Sequence, residues 1–146
     1  NIVEEIGQID LWKVAIKPGK PIAIGSIQQC KFFGLPGNPV SAMVTLNLLV
    51  QPAMQKLSGM DLIPATIIQA NCESNLHKKA GRRDFQRGKA TVDEYGNWHV
   101  SSTGSQGSAK LTSLSQGNCY IVLDENCGDV KAGEKVTIQL FDEVIR

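Results

Sequence analysis

The sequence predicts an α/β piece followed by a small all-β, barrel-like domain. Three observations carry that prediction. Short apolar runs lead into one long apolar segment with a helix-start signature; the composition changes after Gly59; and from Thr66 onward strand-like segments alternate with Gly-containing turns. At 146 residues the chain is long enough for one medium domain or two small ones.

The elements follow in order. Ile2, Val3, Ile6 and Ile9 are spaced like the last turns of a helix, with Gly7 weakening its end. Leu11 to Ile16 and Ile22 to Ile27 read as strands flanking a lysine-bounded turn, and Phe32 to Leu35 reads as a third, buried strand. Pro39 to Leu57 reads as one helix, apolar on most faces, which needs cover on several sides. The residues before its end offer little surface to provide it, so this region is expected to be the C-terminal part of a larger domain or to pack against another chain. The boundaries expected are residues 1–57, a linker over 58–64, and residues 65–146. In the last part Thr66 to Cys72, Asp84 to Val92, Asn97 to Ser102, Cys119 to Leu123 and Val136 to Phe141 read as strands, and Ser108 to Ser115 as the one helix.

Composition narrows the function classes. A formal net charge of +1 argues against indiscriminate nucleic-acid binding, and 42% hydrophobic with 20% charged residues is ordinary for a globular protein. Cys30, Cys72, Cys119 and Cys127 form no C-x-x-C pair, and His77 and His99 lie far from them. Reduced thiols in a cytoplasmic protein, with no built-in transition-metal site, are expected. The apolar helical stretch Pro39 to Gln55 is too short and too polar to cross a bilayer. The chain opens at Asn1 with neither an initiator Met nor a signal peptide, so an excerpt of a longer protein is expected.

The chemistry-bearing segments attract anions. In Lys17-Pro18-Gly19-Lys20-Pro21, Pro18 and Gly19 have the signature of a type II turn. The turn would hold the lysines within roughly 7 Å, where two exposed like charges repel by about 0.6 kcal/mol. An anion between them would reverse that repulsion. In Gly34-Leu35-Pro36-Gly37-Asn38-Pro39-Val40-Ser41, Asn38 suits an N-cap and Pro39 the first helical position, so free N–H groups and a positive dipole end would point at one spot. Each segment also reads as an ordinary connection.

Between His77 and Lys89 stand Lys78, Lys79, Arg82, Arg83, Arg87 and Lys89 against Asp84. This is either a solvated hairpin edge or an oxyanion site using arginine forks. Alternation puts Arg83, Phe85 and Arg87 on one face and Asp84 and Gln86 on the other, with Arg82 on the Asp84 side. Gly104-Ser105-Gln106-Gly107-Ser108 is a further loop before a helix, with Ser108 as its N-cap. Single-stranded nucleic-acid binding on a small barrel is a weaker option, because Phe85 is the one aromatic in the basic stretch.

Taken in order, the lysine turn, the Gly34 to Ser41 loop, Gly81-Arg82-Arg83-Asp84-Phe85-Gln86-Arg87-Gly88 and the Gly104 to Ser108 loop resemble the molybdopterin molybdenumtransferase family, the MoeA and gephyrin E-domain group. The resemblance runs through almost the whole chain. It implies a partial three-layer substrate domain, its molybdopterin-binding C-terminal part, joined to the complete β-domain. It also implies a transferase of molybdenum cofactor biosynthesis that takes adenylylated molybdopterin and molybdate with Mg²⁺, and releases AMP.

By motif, Lys17 and Lys20 would bind molybdate or phosphate, with Pro21 shaping the turn. Pro36, Asn38, Pro39 and Ser41 would form the pterin-phosphate pocket, while Arg82 and Ser108 would complete the site across a homodimer. Arg83 stands where relatives often carry an apolar residue. The acidic, Gly-rich segment that relatives carry ahead of the lysine turn does not precede it here, so Mg²⁺ ligands are expected upstream and the chain alone is expected not to insert molybdenum. The alternative is a non-catalytic scaffold of gephyrin type, which would hold a partner protein. Small-molecule substrates are expected, with neither nucleic acid nor a membrane as partner.

Overall fold

The computed structural model describes residues 7–104, 106 and 112–141. Its first part is a three-stranded antiparallel sheet ordered β1-β3-β4, formed by β1 (Gly7–Lys13), β3 (Pro21–Ile27) and β4 (Cys30–Gly34). Gly7 to Ile9, expected to end a helix, belong to β1; Ile27 and Gly25 sit opposite Gly7 and Ile9, and the Ser26 carbonyl approaches Gly7 too closely to leave room for a Cβ. β4 is half-buried where a buried strand was expected, since it forms one edge of the sheet.

The expected single helix is broken into three. α1 (Pro39–Thr45) passes into a π-helical turn (Leu46–Val50) and then α2 (Gln51–Leu57). Pro52 has no N–H and its ring would crowd the carbonyl one turn back, so the wider turn just ahead of it relieves the clash. The Gln51 N–H accordingly reaches the Leu46 carbonyl, five residues back. Val40, Val44, Thr45 and Val50 are buried, whereas Met54 and Leu57 stay exposed. The cover expected for this segment thus reaches its first half, among the described residues.

The second part is a closed barrel. β6 (Arg83–Val92), β7 (Trp98–Ser102), β5 (Ile67–Cys72), β9 (Lys135–Leu140) and β8 (Cys119–Leu123) pair in that order, and β8 pairs back to β6. β6 therefore has partners along both sides and is not the hairpin edge that its charges suggested. Its interior holds Ala70, Val100, Cys119, Ile121, Val136 and Ile138, packed through the period-2 alternation of each strand. α3 (Thr112–Ser115) precedes β8, and Ser108 lies outside the described residues. All four cysteines are free, with Cys72 and Cys119 in the barrel core, where burial pushes the Cys119 thiol up to about 11. No helix among the described residues is long and apolar enough to cross a membrane.

Among the described residues, the parts meet at a short strand pairing and an apolar cluster. The two-residue β2 (Ile16–Lys17) pairs in parallel with the start of β6, Lys17 opposite Asp84. Below it, Val44 packs with Phe85 and Tyr120, flanked by Ile16, Leu48, Leu114, Val122 and Phe141. Asn47 Nδ2 donates to the Tyr120 hydroxyl at 3.0 Å inside that cluster. Val44 and Leu48, in the first half of the helical segment, are thus covered by the outer wall of the barrel.

Candidate anion site between the lysine turn and the barrel

The lysine turn is not the type II turn expected from its sequence. The Lys17–Pro18 peptide is cis, and Gly19 has the anticipated positive φ, +108°. Gly19 lies against α1, and the Val14 N–H donates to the Lys20 carbonyl at 2.9 Å. Both lysines line a cleft of about 670 Å³ that also takes in Ser41, Arg82, Asp84 and Arg87. Of the residues singled out by sequence, Lys17, Lys20, Ser41 and Arg82 are therefore brought together, while Pro21, Pro36, Asn38 and Pro39 do not line the cleft.

The helix start forms as its sequence dictates, with a consequence for its donors. Asn38 is extended and its Oδ1 accepts from the N–H groups of Val40 at 3.1 Å and Ser41 at 3.3 Å, with Pro39 in the first turn. Those two N–H groups are engaged by the cap instead of standing free for a ligand. The dipole end remains positive.

The basic run disperses on folding. Arg82 lines the cleft, whereas Arg83 does not and its Nη2 pairs with Asp124 at 3.0 Å. Lys78 is buried, and its ammonium donates to the carbonyls of Lys79 at 2.9 Å and Glu125 at 3.5 Å. Arg87 is 1% exposed and its Nε donates to Ser113 Oγ at 3.1 Å. Burial pushes its guanidinium below the usual arginine value, and the nearby Asp84 charge works in the opposite direction.

Sequence reasoning did not assign a role to Asp84, Gln86, Arg87 or Gln106, all of which line the cleft. Alternation did place Asp84 with Gln86; Gly88 and Ala90 continue that face into the barrel interior. Asp84 is buried, and its Oδ2 accepts from Lys17 Nζ at 3.2 Å and Gln86 Nε2 at 3.2 Å. Gln106 mimics a strand neighbour: its Oε1 accepts from the Arg87 N–H at 2.8 Å and its Nε2 donates to the Arg87 carbonyl at 3.0 Å. That pairing ties Gln106 to β6. With four cationic side chains, Lys17, Lys20, Arg82 and Arg87, against the single carboxylate of Asp84 among its lining residues, the cleft is chemically suited to an oxyanion.

A family model described as the MoeA C-terminal region (domain IV) matches residues 69–141, half of the chain. The chain belongs to the MoeA family. A second model, described as a probable molybdopterin binding domain, matches residues 1–56. The MoeA-family chain is 46% identical to the molybdopterin molybdenumtransferase of Haemophilus influenzae, an alignment covering 99% of this chain and 36% of that protein. It is 30% identical to a gephyrin of Dictyostelium discoideum, covering 98% of this chain and 23% of that one. The molybdopterin biosynthesis MoeA protein of Pyrococcus horikoshii is similar in structure, with a TM-score of 0.76 and 28% identity over 96% of this chain and 34% of that chain. The chain thus spans about a third of the length of the molybdopterin molybdenumtransferase it matches.

Mg²⁺ is an expectation of the resemblance read from the sequence. Among the described residues no group of three or more His, Cys, Asp or Glu could hold a metal ion, and Asp84 is already engaged by Lys17 and Gln86. These residues do not make a Mg²⁺ site.

Proposed function

We propose that this region carries part of the active site of a molybdopterin molybdenumtransferase, which inserts molybdate into adenylylated molybdopterin and releases AMP. The convergence of Lys17 and Lys20 with Arg82 in one cleft is the observation that supports it. In this reading both lysines attract molybdate, while Ser41 and Arg82 contact phosphate oxygens. Pro21, Pro36, Asn38 and Pro39 shape the turn and the helix start, and Ser108 adds a further contact. The domain division at 58–64, a cytoplasmic location and homodimerisation with a shared site belong to the same proposal, as does the need for Mg²⁺ ligands beyond this region.

Arg82 already lines the cleft beside the lysine turn within one chain, so in this reading the partner subunit adds to that wall and does not supply all of it. Both lysines facing one cleft weighs against the scaffold reading, which requires no such convergence. Calorimetric titration of molybdate into the 146-residue chain tests the assignment. Lys20→Ala weakens binding by about tenfold, and adding Lys17→Ala weakens it by about a further tenfold, the range of a charge-assisted hydrogen bond. Unchanged affinity in the double variant sinks the assignment. The chain alone releases no AMP from adenylylated molybdopterin; measurable release would show that the site is complete.

A further inference from the structure

The contact between Lys17 and Asp84 is asymmetric. The two residues are register partners of β2 and β6, yet the Asp84 side chain is 4% exposed and that of Lys17 51% exposed. The buried end is fixed. Gln86 Nε2 donates both to Asp84 Oδ2 at 3.2 Å and to the His77 carbonyl at 2.9 Å. A loop carbonyl thereby orients an amide, the amide orients a carboxylate, and the carboxylate holds an ammonium at the edge of the cleft. An ammonium has three donors, so Lys17 keeps two for a ligand. Without such a hold, its flexible four-carbon stem would have to be ordered when a ligand binds.

We propose that Asp84, oriented by Gln86, is a positioning residue for Lys17 in oxyanion binding. The proposal rests on the oxyanion reading of the cleft. Its two possible effects have opposite signs. A carboxylate among anion-binding cations repels the ligand, so counting charges predicts that neutralising Asp84 tightens binding. Positioning predicts that neutralising it loosens binding, because Lys17 is no longer aimed. Lys20, Arg82 and Arg87 line the same cleft and keep the field positive when Lys17 is removed.

The test titrates molybdate calorimetrically into the 146-residue chain and its variants. Asp84→Asn weakens binding by about fivefold, Asp84→Glu recovers part of the loss, and Gln86→Met, which keeps the charge but loses the orienting amide, weakens it by about threefold. In a Lys17→Ala background Asp84→Asn instead tightens binding, since only the repulsion is left. A purely structural role would not reverse sign between backgrounds. Tightening, or no change, on Asp84→Asn with Lys17 present overturns the proposal, as does an equal loss in both backgrounds. Should Asp84→Asn fail to unfold cooperatively, Gln86→Met decides: weakened binding supports the proposal and unchanged affinity overturns it. A wild-type chain that binds no molybdate is a separate outcome, which removes the oxyanion reading and the proposal with it.

Discussion

Gly19 sits so close to Thr45 that a Cβ built on it would lie 2.6 Å from Thr45 Oγ1 and 3.4 Å from the Ser41 carbonyl oxygen. The lysine turn is thereby docked on α1, and this docking puts Lys17, Lys20 and Ser41 into one cleft. Its φ of +108° would strain any L side chain at this position as well.

Gly19→Ala combines both penalties. It is expected to destabilise the chain by about 2 kcal/mol and to weaken molybdate binding by displacing the lysines. Urea unfolding and calorimetric titration measure the two effects separately. Normal stability with normal binding would show that the turn is not docked as described.

Thr45 points the other way. It is fully buried and its Oγ1, which faces Gly19, has no hydrogen-bond partner. Thr45→Val keeps the shape and removes an unsatisfied hydroxyl, so it is expected to stabilise the fold by about 1 kcal/mol. A fall in the urea midpoint would mean that the hydroxyl has a partner in solution.

Much of this was legible from local signals. Asn38-Pro39 specified a helix start because capping is decided within four residues, and Cys119 to Leu123 specified a strand because its composition is unambiguous. The π-helical turn was written in Pro52 but required its position in the i−4 ladder to be read. The lysine turn misled because a cis peptide leaves no mark in Lys-Pro. Asp84 and Arg87 read as members of a charge run; only the closure of the barrel, which gives β6 partners on both sides, converts them into buried groups with assigned neighbours. Gln106 gave no signal, since a glutamine pairing like a strand backbone depends on where β6 lies.

The helix–barrel junction can be probed through Tyr120, whose hydroxyl accepts from Asn47 and whose ring meets Phe85 edge-on at 6.1 Å. Tyr120→Phe leaves the Asn47 amide unpaired in a buried place and is expected to cost about 1–2 kcal/mol. Burial also pushes the Tyr120 phenol up to about 12. A raised pKa means stability that is complete below the unfolded value near 10 and is lost as pH rises towards 12, on the order of 2 kcal/mol. In a Tyr95→Phe background Tyr120 is the remaining tyrosine, and its phenolate absorbance at alkaline pH should appear together with unfolding. Phenolate forming well before the loss of circular dichroism would contradict the buried placement.

At the acid end the informative group is Asp93, at the β6–β7 turn. Its carboxylate accepts from the N–H groups of Tyr95 and Asn97, at 2.9 and 2.8 Å, and from Asn97 Nδ2 at 3.0 Å, while His99 Nε2 lies 3.2 Å away. The Asn97 bonds are the main cause that pulls its pKa down to about 2. A lowered carboxylate pKa gives stability that is present above the unfolded value near 4 and is lost as pH falls through about 2. Asp93→Ala should therefore unfold at a lower temperature than the wild-type chain at pH 6, with the difference shrinking between pH 4 and pH 2 as the native carboxylate protonates. Thermal melts of both chains across that range measure it. A difference that stays constant with pH would assign the effect of the substitution to the turn backbone instead of to the charge.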